Sequence, residues 1–151
     1  MLADLIMEIL QKNMRINFEI EPQSQLRPKF SSRPFPHEYD PKPTKTYKAQ
    51  LHLLAIKKMQ ELKMEPLEGS LMVNVVFYRN IQKSLSKAEH ERRVSGKVLP
   101  SVKPDIDNYT KAFLDALNGV VWRDDSQITD KMTRKRYSNN PHIELEVLPI
   151  K

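Results

Sequence analysis

At 151 residues, 39% of them hydrophobic and none a cysteine, the chain can bury one core without staples, and disulfides and thiolate metal sites are excluded. The four histidines, His37, His52, His90 and His142, lack ligand-like spacing, which speaks against zinc. A net charge of +6 points to a polyanionic partner, and no segment reads as a secretory peptide or membrane anchor, so a soluble cytoplasmic protein is expected.

Leu2, Leu5, Ile6, Ile9 and Leu10 recur at helical spacing, so residues 1–13 read as a short accessory helix ahead of a domain spanning residues 14–151. Ile16, Phe18 and Ile20 alternate with polar residues and predict a half-buried strand. Residues 22–43 hold six prolines and read as a loop lying over the surface. Thr44 is placed to cap a helix running to about residue 63, with Tyr47, Leu51, Leu54, Ala55 and Leu62 as its apolar stripe.

Residues 70–78, SLMVNVVFY, predict a central strand. The polar, basic run at 79–103 is expected to be mobile without a ligand. A second helix is predicted over residues 108–118, with Tyr109, Ala112, Phe113, Ala116 and Leu117 on one face and Gly119 as its left-handed stop. A strand is expected to begin at residues 120–122. Further strands are predicted at 127–137 and 142–148, joined by a turn at 138–141. The order of elements predicts an α/β (α+β) fold, a single compact domain with a mixed β-sheet and helices packed against it.

The charge is unevenly spread. Residues 79–103 carry Arg79, Lys83, Lys87, Arg92, Arg93, Lys97 and Lys103 against Glu89 and Glu91, and residues 128–136 carry Lys131, Arg134, Lys135 and Arg136 against Asp130. These eleven cations flank an aspartate-rich segment and are the candidate contacts to a DNA backbone.

That segment, residues 103–128, reads KPDIDNYTKAFLDALNGVVWRDDSQI. Asp105 and Asp107 project to the same side of an extended approach to the helix, and Lys111 stands one turn beyond Asp107. Asp124 and Asp125 follow on a strand that can lie beside the first pair. Converging carboxylates without cysteine or histidine are hard oxygen ligands, suited to magnesium or manganese. Each piece also has an ordinary reading: Asp107 as an N-cap, Lys111 and Asp115 as a surface pair, Asp124 and Asp125 as a solvated turn.

The compound pattern KPDIDN, Lys111, LDALNG and DDSQI resembles the RusA-type Holliday junction resolvases, crossover junction endodeoxyribonucleases often encoded by phages and prophages. RPKF at residues 27–30 is similar to that family's basic, proline-containing loop. The resemblance implies that Asp105, Asp107 and Asp125 bind the metal and that Lys111 is the catalytic lysine. It selects Asp125 over Asp124, and it leaves Asp115 without a clear chemical role, for which a structural pairing is preferred. It further implies a homodimer that resolves four-way DNA junctions by paired symmetrical nicks in recombination and repair. Residues 1–13 depart from the family pattern. Two alternatives stand beside this reading: a broader nuclease for branched or single-stranded DNA, and a basic nucleic-acid-binding protein without catalysis.

Overall fold

The apolar alternation that starts at Met14 becomes the first strand of a four-stranded sheet. The computed structural model describes residues 1–5 and 13–150, so the expected opening helix through Ile6, Ile9 and Leu10 falls outside the described residues. Strand β1 is Met14–Phe18, followed by a small hairpin of β2 (Lys29–Ser31) and β3 (His37–Tyr39). Helix α1 (Lys42–Leu62), strand β4 (Leu71–Arg79), and helices α2 (Lys87–Val94) and α3 (Ile106–Ala116) come next. A single 3-10 turn, Asp125–Gln127, leads into β5 (Ile128–Tyr137), and β6 (His142–Pro149) closes the domain.

The main sheet has the order β1-β6-β4-β5. β4 runs parallel to β5 across a connection carrying α2 and α3, while β6 is antiparallel to both β1 and β4. Strand periodicity decides which face is covered. Met14, Ile16 and Phe18, Leu71, Val73, Val75 and Phe77, and Ile143, Leu145 and Val147 are buried on one side. Helices α1 and α3 supply the opposing layer through Tyr47, Leu51, Ala55 and Met59, and through Tyr109, Ala112, Phe113 and Ala116. The result is the α+β unit with a mixed sheet that the element order predicts. Among the described residues no helix is long and apolar enough to cross a membrane.

Five local expectations are corrected. The proline-rich stretch 22–43 contains the β2-β3 hairpin, and α1 begins at Lys42, behind Pro41, so Thr44 is not its cap. Thr44 is buried, and its hydroxyl accepts from the Leu26 amide at 3.4 Å, fastening the preceding chain to the helix. The basic run 79–103 contains α2, whose start is satisfied by the Ser86 hydroxyl accepting from the Glu89 amide at 3.2 Å. Residues 120–122 form a tight turn: Gly119 has φ 81°, its amide donates to the Trp122 carbonyl at 2.7 Å, and Trp122 makes isolated bridges only. Helix α3 starts at Ile106, earlier than the apolar stripe suggests, because Asp105 takes the extended N-cap conformation.

Phe113 joins α3 to the sheet. It is fully buried, edge-to-face against Phe18 at 5.5 Å and against Phe77 at 5.7 Å. Phe113→Ala should therefore destabilise the fold by about 3–5 kcal/mol, read as a lower urea midpoint at unchanged slope; an unchanged midpoint would contradict this packing.

Candidate active site

The buried face of α3 fixes which way its polar face looks. With Tyr109, Ala112, Phe113 and Ala116 turned to the sheet, Asp107 and Lys111 are left exposed and Asp115 half-buried. The residues leading into the helix are held by two cations from the sheet. Arg79, at the end of β4, donates to the Lys103 carbonyl at 2.9 Å, and the Lys135 ammonium donates to the carbonyls of Val102 and Pro104 at 2.8 and 3.0 Å. The Gln25 amide donates to the Asn108 carbonyl at 2.9 Å on the other flank.

Asp105 occupies the N-cap position of α3 yet makes no capping bond with its side chain. Asp107 lies in the first turn. Among the described residues neither carboxylate accepts a side-chain hydrogen bond or joins an ion pair, and both are exposed. The unpaired amides at the helix start favour negative charge there. Two hard, unengaged carboxylates at a helix start form a donor set that suits magnesium, an ion commonly held by one or two carboxylates together with water and substrate phosphate.

Lys111 points along the helix in the opposite sense. Its ammonium lies 3.3 Å from Asp115 Oδ2, which also takes Lys48 at 3.3 Å, while Lys48 reaches Asp40 at 2.9 Å. Asp115 thus has the structural pairing expected of it, compensated by two lysines. The Lys48 hydrogen bond, against the opposing effect of burial and with help from Gln25, holds the Asp40 carboxyl below the usual carboxylate range. Asp40 and Lys48 went unnoticed in the sequence because they belong to different elements and have no motif spacing.

Asp124 and Asp125 divide their work as adjacent residues on a turn should. Asp124 caps the 3-10 turn, accepting from the Ser126 amide at 3.0 Å, and bonds from Ser126 lower its pKa. Gln127 closes the box by accepting from the amides of Arg123 and Asp124 at 2.8 and 3.1 Å. Asp125 is left with no side-chain hydrogen bond or ion pair among the described residues, in a shallow cleft with Leu114, Thr129, Asp130 and Lys131.

The structure brings Asp105 and Asp107 to one end of α3, sets Lys111 midway along it with its ammonium on Asp115, and leaves Asp125 at the other end. Arg79 and Lys135 touch the start of α3, whereas the Leu67 amide bonds the Val121 carbonyl at the opposite end of β4. Helix α3 therefore runs back along β4, and the nine residues of β4 span roughly 25 Å. Accordingly, no group of three or more His, Asp or Glu side chains that could hold an ion occurs among the described residues. The expectation that the strand after the helix lies beside the first acidic pair is not met within one chain: β5 begins beside the end of α3 and only reaches its start seven residues later, at Lys135.

The predicted DNA contacts separate into two groups. Arg79 and Lys135 are engaged with carbonyls, as above. Arg93 lies over the Tyr137 ring at 4.8 Å and pairs with Glu89 at 3.3 Å, and Arg136 donates to the Lys135 carbonyl at 2.7 Å. These four are engaged within the fold. Lys83, Lys87, Arg92, Lys97, Lys103, Lys131 and Arg134 form the exposed cationic surface, with Arg92 also 3.2 Å from Glu89 and Arg134 donating to Met132 Sδ at 2.9 Å.

A family model described as endodeoxyribonuclease RusA matches residues 19–148. The chain is also 36% identical over 130 residues to the uncharacterized protein YqaN of Bacillus subtilis (strain 168), an alignment covering 84% of this chain and 89% of that protein.

Lys135→Met keeps the aliphatic stem and removes the ammonium. Loss of its bonds to the Val102 and Pro104 carbonyls should raise exchange of the Asn108 and Tyr109 amides, which bond the Asp105 carbonyl, by about ten-fold, the equivalent of roughly 1.4 kcal/mol, with a much smaller change in the core strands. Unchanged exchange there would show that Lys135 does not hold the acidic pair in place.

Proposed function

The chain belongs to the RusA endodeoxyribonuclease family, and on that premise we propose that it is a magnesium-dependent endonuclease that resolves four-way DNA junctions, as a homodimer, by paired symmetrical nicks in recombination and repair. The observation that carries this reading is selective: among the described residues Asp40, Asp115 and Asp124 are all engaged by neighbouring groups, whereas Asp105, Asp107 and Asp125 are not. Carboxylates left without partners near a cationic surface oppose DNA binding unless a cation offsets them.

In this reading Asp105 and Asp107 hold the ion in one protomer. What magnesium supplies when bound is acidification of water and neutralisation of charge on the phosphate. Lys111 places its ammonium against the leaving oxygen. It is free to do so, since its pair with Asp115 is solvent-exposed and weak, and Lys48 remains to compensate Asp115. The exposed lysines and arginines grip phosphates and position the strand without reading its sequence.

Asp125 enters the same site only from a second copy. A shared ion requires carboxylates within a few ångströms of one another, and within one chain Asp125 lies at the far end of α3 from Asp105 and Asp107. A two-fold dimer that sets the end of one α3 against the start of the other completes two sites at once. Such a dimer also ties the two nicks to one another.

Cleavage of a synthetic four-way junction across a magnesium titration tests the reading. Asp105→Asn and Asp107→Asn should abolish cleavage while junction binding without magnesium persists or tightens, and Lys111→Met should lower turnover by about 10²–10³-fold. Cleavage that survives in Asp105→Asn would overturn the assignment. Salt-sensitive junction binding with no cleavage at any magnesium concentration would favour a non-catalytic binding protein.

A further inference from the structure

The β2-β3 hairpin carries more exposed aromatic surface than a small surface ribbon needs. Phe30 and Phe35 are 67% and 63% exposed, and Tyr39 is 40% exposed. Strand alternation puts Phe35, His37 and Tyr39 on one face of the ribbon, with ring centroids 5.3 and 6.0 Å apart in succession. Phe30, paired across from Glu38, stands on the other face. None of residues 26–39 belongs to the buried core, so these rings do not hold the fold together. Three large exposed rings gathered on a ribbon mark a contact surface.

The charges beside them indicate what is contacted. Arg27, Lys29 and Arg33 are exposed and make no ion pair among the described residues, against a single acid, Glu38, on the ribbon itself. Interleaved rings and free cations suit a nucleic acid strand whose bases are open, because rings stack on base faces while cations meet phosphates. An apolar protein partner would leave those cations unmatched.

Position completes the case. The hairpin is rooted on the acidic end of α3: Gln25 bonds both the Asn108 carbonyl and Asp40, each at 2.9 Å. Glu38 and Tyr39 line the same open cleft as Lys48 and Lys111. A strand held at Asp105 and Asp107 therefore passes within reach of the aromatic ladder.

We propose that the β2-β3 hairpin is a base-stacking element, in which Phe35, His37 and Tyr39, with Phe30 on the reverse face, receive unpaired bases next to the cut phosphate while Arg27, Lys29 and Arg33 hold the flanking backbone. This rests on the junction-nuclease reading for its biological setting. The crossover of a four-way junction is where duplex DNA most readily offers unstacked bases, so the hairpin confers preference for branched over linear DNA.

The test compares the full-length protein with a Phe35→Ser/Tyr39→Ser double variant and a conservative Phe35→Tyr/Tyr39→Phe double variant, without magnesium. Each is titrated with an oligothymidine strand, a linear duplex and a four-way junction, and its oligomeric state is measured by sedimentation. The serine variant should lose about ten-fold or more in affinity for the oligothymidine and the junction, keep its duplex affinity and oligomeric state, and be rescued by the conservative variant. Equal losses on all three DNAs, no loss on the oligothymidine, or dissociation of the oligomer would overturn the proposal, the last by making the rings a subunit contact. If the wild-type protein shows no junction preference, the functional reading fails instead, while the oligothymidine titration still decides the hairpin.

Discussion

The direction of helix α3 across the sheet governs the rest of this molecule. Tyr109 stacks on Phe77 at 5.4 Å and Phe113 meets Phe77 and Phe18 edge-on, so the helix is pinned along β4 by its apolar stripe. Once pinned, its two ends lie at the two ends of the strand, and each end carries acidic residues. Arg79 and Lys135 then fasten the incoming loop at one end, while the capped 3-10 turn sets Asp125 at the other. The distance between the carboxylates is thus a consequence of core packing, and no side-chain rearrangement within one chain removes it.

Local electrostatics give the two ends different roles. At the start of α3 the helix macrodipole favours negative charge, that of the Asp105 and Asp107 carboxylates and that of an incoming phosphate alike. Along the helix flank, Asp40, Lys48, Asp115 and Lys111 form a chain of alternating sign. The Lys48 links are part-buried, whereas Lys111 is exposed and its link to Asp115 contributes little stability singly, so Lys111 can leave the chain at small cost. At the far end, Asp124 engages its carboxylate with the Ser126 amide, while its neighbour Asp125 lines a cleft with Leu114 and Lys131.

Much of this was legible in the sequence, and what was not has physical reasons. The period-2 alternations of β1, β4 and β6 and the 3.6-period stripe of α3 are signals of burial on one face, and burial is what built those elements. The aspartates and Lys111 were legible as a compound pattern because chemistry limits the residue types that can occupy it. The convergence expected of them was not legible, since sequence order says that a strand follows a helix without saying which end of the helix it starts from. The contacts that Arg79, Lys135 and Arg136 make to backbone carbonyls, and Arg93 to Glu89 and Tyr137, were not legible, because a basic side chain looks the same in sequence whatever it meets. The hairpin was hidden by its prolines, although the alternation of Phe35, His37 and Tyr39 was the signal that could have revealed it.

In the proposed dimer a working site draws Asp105 and Asp107 from one copy and Asp125 from another. Mixed dimers test it directly: Asp105→Asn and Asp125→Asn chains, each inactive alone, are co-refolded in equal amounts and assayed for nicking of a four-way junction with magnesium. If the site is shared between copies, every mixed dimer contains one whole site, and nicking should return to about a quarter of the wild-type rate for random pairing. A control mixture of Asp105→Asn with Asp107→Asn should stay inactive. No recovery in the first mixture, with dimer exchange verified, would place all three carboxylates in one chain and contradict the account.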